Sequence, residues 1–158
     1  MTLGSLLSVD QIIPEMKATE RWAAIVELID LLVQKNRVRT SDRDSILAAL
    51  RQREETMSTG IGFGIAIPHA SSNCVSEVVA AFGRSSTGIE FDSLDNSPVR
   101  FIVLFVVPKD QFQVHLRTLA AIAKFLNDKS VREQLAKAES SEEILGIFDN
   151  KATRSPAA

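Results

Sequence analysis

The chain has 158 residues, 45% of them hydrophobic, and a net charge of −2 with its lysines and arginines scattered. That length supports one domain with an adequate core, and the charge balance excludes broad nucleic-acid binding as a leading function. One cysteine, Cys74, and two histidines, His69 and His115, leave no intramolecular disulfide and no metal-ligand spacing, so neither a metal nor a disulfide staple is expected.

The elements are read in chain order. Residues 1–12 lack the basic and apolar regions of a leader, which points to a cytoplasmic protein. Thr19 is placed to cap a helix whose apolar positions Trp22, Ile25, Val26, Ile29, Leu32 and Val33 recur every three or four residues. Ser41, Asp42 and Asp44 suit the start of a second helix, with Ile46, Leu47 and Leu50 as its buried stripe and an end near Arg53. Gly60, Gly62 and Gly64 then form a permissive loop feeding a strand at 64–67. Pro68 should end that strand, leaving His69 just beyond its carboxyl end. Further strands are expected at 77–84 and 99–107, with a short one at 88–91, separated by the turn cluster Asp95-Asn96-Ser97-Pro98.

After Pro108 the periodicity becomes helical. His115, Leu119, Ile122 and Leu126 share one face, with Leu116 and Ala123 beside them. Two capping boxes, Ser130 to Glu133 and Ser140 to Glu143, announce two more helices. Residues 151–158 should fray. No apolar run reaches the roughly 20 residues of a membrane span, so membrane insertion is not expected. The pattern predicts a single α/β domain.

Several chemistries lack their motifs. The glycines do not complete G-x-G-x-x-G, and neither a phosphate loop nor G-x-S-x-G occurs. Cys74 has no evident electropositive setting to make it a nucleophile. The two histidines remain. On physical pattern alone, His115 reads first as a hydrogen-bonded core residue, and His69 equally as a surface one.

The string Ser58-Thr59-Gly60-Ile61-Gly62, with Gly64-Ile65-Ala66-Ile67-Pro68-His69, lies between Arg53-Glu54 and the downstream segment Ile89 to Asn96, and His115-Leu116 with Leu119 follows. In these residues the chain resembles the type-2 enzyme IIA domains of the bacterial phosphoenolpyruvate-dependent phosphotransferase system (PTS), over about residues 5–148. Within that fructose, mannitol and nitrogen-regulatory group, the wording Phe91 to Val99 is most similar to the nitrogen-regulatory branch. The resemblance implies a mixed β-sheet flanked by helices on both faces. It implies that His69 accepts a phosphoryl group from a histidine-containing phosphocarrier protein (HPr/NPr-like), with His115 and Arg53 lining the same pocket and no cofactor or metal required. The receiver is then either a regulatory target protein or the cysteine of a sugar-specific enzyme IIB, and a homo-oligomer is left open. Phe63 and Ala70 depart from the family pattern at the rim where a partner would dock.

The chemistry such a site needs is simple. A neutral imidazole offers one lone pair while its other nitrogen holds the proton, fixed by a hydrogen bond. Arg53, His115 and the Gly60 to Gly64 backbone N–H groups are the expected donors to the phosphoryl oxygens.

Overall fold

A computed structural model describes residues 3–56 and 58–149; the tail expected to fray lies outside them. In chain order the elements are α1 (Leu3–Leu6), β1 (Ile12–Ile13), α2 (Arg21–Gln34), α3 (Arg43–Thr56), β2 (Gly60–Gly62), β3 (Ile65–Ala66) and β4 (His69–Ser72). Then follow β5 (Val79–Ile89), β6 (Val99–Pro108), α4 (Phe112–Leu126), α5 (Lys129–Lys137) and α6 (Ser141–Asp149).

The unbroken apolar run Phe101 to Val107 is buried throughout, which makes β6 the middle of the sheet. β5 pairs with it antiparallel and β1 extends the sheet parallel to β5. On its other side β6 carries two short parallel strands end to end, β3 beside Phe101 and Ile102 and β4 beside Phe105 to Pro108. β2 closes that side as the antiparallel partner of β3. The result is the expected mixed sheet, with order β1-β5-β6-β3-β2 and β4 on β6.

Both faces are covered because alternate β6 side chains point opposite ways. Phe101, Val103 and Phe105 join Ile122, Phe125 and Leu126 of α4 with Leu135 of α5 and Phe148 of α6 in one core. Ile102, Leu104 and Val106 join Ile25, Leu28 and Ile29 of α2 with Ile46 and Leu50 of α3 in the other. Arg84 binds the first layer to the sheet. Its guanidinium donates to the carbonyls of Pro14 at 2.8 Å, Leu135 at 2.7 Å and Ala138 at 2.6 Å, satisfying carbonyls at the end of α5 that the helix itself leaves open.

Several local expectations are corrected. Glu20, not Thr19, caps α2: its carboxylate reaches one residue further and accepts from the N–H groups of Trp22 and Ala23. α3 runs to Thr56, three residues past Arg53. The strand expected at 64–67 is present as β3 and ends before Pro68 as expected, but His69 does not trail a strand into a loop: it opens a further strand, β4. The strands expected at 77–84 and 88–91 are one, β5, with a bulge between Arg84 and Ile89. α5 is capped by Asp128, whose carboxylate accepts from Ser130 N–H, so Ser130 lies inside the helix. Ser140 does accept from Glu143 N–H, as expected, although the Glu143 carboxylate takes its bond from Glu139 N–H. Leu116, expected beside the buried stripe of α4, is 41% exposed.

Candidate functional site

The glycine segment is a hairpin. Gly62 and Gly64 take φ of 103° and 78°, a region that other residues enter only with strain, and this lets β2 fold onto β3 within three residues. Loop 91–97 braces the hairpin. Ser58 Oγ donates to Phe91 O at 2.8 Å, Leu94 N–H to Gly60 O at 3.1 Å, and Phe63 N–H to the Asp95 carboxylate at 3.0 Å. The N–H groups of Phe63 and then Ser97 hold the Asp95 carboxyl below the usual carboxylate range. The N–H of Gly60 is committed to Ser58 Oγ, so the hairpin offers fewer free donors than an open loop would.

His69 stands half-buried at the start of β4. Its Nδ1 lies 2.9 Å from the carbonyl oxygen of Ile67. A carbonyl only accepts, so Nδ1 carries the proton and the neutral ring keeps its lone pair on Nε2. Burial pushes the His69 pKa below 6.5, the Ile67 carbonyl and Glu54 oppose that, and the nearby charge of Arg53 reinforces it. The ring of Phe112, at the start of α4, stacks alongside with centroids 6.3 Å apart. The site thus holds a neutral imidazole with a chosen tautomer and a cation within electrostatic reach.

A second residue of α3 underpins this arrangement. Glu54 is 2% exposed, its carboxylate accepts from both Thr59 N–H and Thr59 Oγ1, and it pairs with Arg21 at 3.6 Å. Thr59 O in turn accepts from Ile67 N–H at 3.1 Å, and Ile67 O accepts from His69. Three links therefore connect a buried carboxylate to the His69 ring, and each fixes the dipole of the next.

The predicted trio is placed unevenly. The charge of Arg53 reaches the His69 ring across the gap between α3 and β4. His115 is 6% exposed, and its Nδ1 has no hydrogen-bond partner among the described residues. It borders a cavity of about 690 Å3 shared with Gln11, Glu77 and Gln111, while Phe112, one turn earlier, is the α4 ring that touches His69. Sequence reasoning assigned no role to Phe112 or Glu54. Phe112 could have been found from its i, i+3 relation to His115, whereas Glu54 sits in an Arg-Glu-Glu run that reads as a solvated face. Among the described residues no helix is long and apolar enough to cross a membrane, and no three His, Cys, Asp or Glu side chains gather to hold a metal.

The family profile described as "Phosphoenolpyruvate-dependent sugar phosphotransferase system, EIIA 2" matches residues 5–151. A fructose-specific PTS EIIA component from Haloferax volcanii is 38% identical over 146 residues, covering 92% of this chain and 94% of its own length. A nitrogen regulatory protein from Klebsiella oxytoca is 39% identical over 113 residues, 71% of this chain and 70% of that protein. The crystal structure of the nitrogen regulatory protein IIA-Ntr from Neisseria meningitidis superposes with a TM-score of 0.84 at 31% identity, covering 92% of this chain and 98% of that one.

Proposed function

The chain belongs to the phosphoenolpyruvate-dependent sugar phosphotransferase system EIIA type-2 family, and on that premise we propose that His69 is its phosphoryl acceptor, attacking through Nε2. One observation carries the reading: the 2.9 Å bond from Nδ1 to the Ile67 carbonyl leaves Nε2 as the nucleophile without a separate base. The donor is a histidine-containing phosphocarrier protein. Its phosphohistidine N–P bond breaks as the Nε2–P bond forms, and the released electron pair returns to the donor ring while the Nδ1 proton of His69 stays in place. Arg53 compensates the charge on the equatorial phosphoryl oxygens, and Phe112 limits water on one side of the ring. His115 acts from the α4 side as the second imidazole. No nucleotide or metal takes part, and the carrier works in the cytoplasm.

For the receiver, we infer a regulatory target, the charge on His69 changing which protein binds. The likeness to the Neisseria structure over almost its whole length supports this branch. A sugar-specific enzyme IIB cysteine is the second reading, favoured by the match to the fructose-specific Haloferax component over 94% of that protein. The test is incubation with phosphoenolpyruvate, enzyme I and the phosphocarrier, followed by site mapping. His69→Ala should abolish acid-labile label, and undiminished label in that variant would refute the assignment. Chasing the labelled protein with a fructose-type enzyme IIB separates the branches, since rapid loss of label to IIB favours sugar uptake.

A further inference from the structure

Phe63, at the tip of the β2–β3 hairpin, is 64% exposed. A large aromatic side chain at φ 58° is strained, and strain of that kind persists only where surrounding structure imposes it. Two restraints impose it here. The Asp95 carboxylate takes the Phe63 N–H, and the Arg132 guanidinium lies 5.1 Å from the centre of the ring. Arg132 is itself fixed, because it also donates to Leu126 O at 2.9 Å at the end of α4. The ring is thus held outward from a rigid frame, with Ile61 and Leu94 exposed at 40% and 69% on the same hairpin and on the loop bonded to it.

The hairpin and His69 occupy one edge of the sheet. Ile65, at the foot of the hairpin, pairs with Phe101 and His69 with Phe105, four residues along β6, a separation of about 13 Å, and Phe63 lies two residues beyond Ile65 on the side away from His69. A protein partner covers about 800 Å2 of each surface it docks on, a patch roughly 30 Å across. A partner whose own histidine reaches His69 therefore extends toward the hairpin tip. A pre-fixed aromatic side chain on that footprint loses little conformational freedom on contact, the property of an interface anchor.

We propose that Phe63, held by Asp95 and Arg132, anchors the phosphocarrier protein that delivers the phosphoryl group, seating in an apolar patch of that partner's docking surface, more than about 13 Å from the histidine that meets His69. This rests on His69 being the acceptor. Phe63→Gly removes the ring while accepting the left-handed backbone without strain, so the hairpin survives the substitution. The phosphorylated phosphocarrier and phosphoramidate, a small donor that needs no docking surface, are used in parallel. The expected result is a KM for the phosphocarrier raised at least tenfold, with the ratio of protein-donor to small-donor rates falling by the same factor. Asp95→Ala should show a smaller loss, of a few-fold, in the same ratio. Equal loss with both donors would make Phe63 a brace of the site and overturn the anchor, as would a KM within twofold of the parent. Absence of label on the unsubstituted protein with either donor would remove the acceptor assignment and the anchor together.

Discussion

Glu54→Ala is the most exacting test of how this site is held. The substitution leaves Thr59 N–H and its hydroxyl without their charged acceptor inside a buried space. Hydrogen bonds to charged groups contribute about 1.5–3 kcal/mol each, so the pair sets a loss of about 3–6 kcal/mol. The Arg21 pair adds less than about 1 kcal/mol, because the Arg21 side chain is 23% exposed and screened by solvent. For a chain of this length that loss corresponds to a fall in Tm of roughly 10 °C. Glu54→Gln keeps an acceptor for Thr59 N–H and should cost only about 1–2 kcal/mol. Thermal unfolding followed by circular dichroism gives both values. Hydrogen exchange at the Ile67 amide reports the next link, and its protection should drop in Glu54→Ala more than the global stability does. A Glu54→Ala protein within about 1 kcal/mol of the parent, or a Gln variant as damaged as the Ala variant, would refute the relay from α3 to His69.

Three further outcomes are expected. Because burial lowers the His69 pKa in the folded state, the unfolded chain binds more protons below pH 6.5, and stability falls as pH drops from that value through the folded pKa. Unfolding measured across pH 5–8 should show this decline, and His69→Gln should flatten it; an unchanged slope would mean the ring is not shifted. Phosphoryl acceptance should likewise be level above neutrality and decline on the acid side, because protonation occupies Nε2. His115→Leu should stay within about 1 kcal/mol of the parent in denaturant unfolding, since it removes a buried nitrogen with no partner among the described residues, while slowing transfer to His69. Arg84→Met keeps the aliphatic stem but leaves the carbonyls of Pro14, Leu135 and Ala138 without their donor, and a loss of about 2–4 kcal/mol is expected in the same assay.

The parts of the fold legible in the sequence are those where one residue's chemistry decides alone. The Phe101 to Val107 run has one stable place, inside a covered sheet, and the stripes of α2 and α4 have one stable face. β4 was not legible, because His69-Ala70-Ser71-Ser72 has no strand pattern; it is extended because β6 presents an open edge beside it. Caps were ambiguous wherever two acceptors lay within reach, as with Thr19 and Glu20 or Asp128 and Ser130. At the site, His69 and Arg53 stood out through the family motif. Glu54, quoted beside Arg53 in that motif, was given no role, since its burial depends on Thr59 and Arg21 arriving from other segments.

The bond between Nδ1 of His69 and the Ile67 carbonyl has a consequence for the phosphorylated state as well. An imidazole that keeps that proton once phosphorus is attached opposite it becomes a cation, and a cationic ring is a better leaving group than a neutral one. With His69 as the proposed acceptor, the backbone of this segment would favour onward delivery over storage, keeping the modification transient and easily surrendered to the next protein that docks.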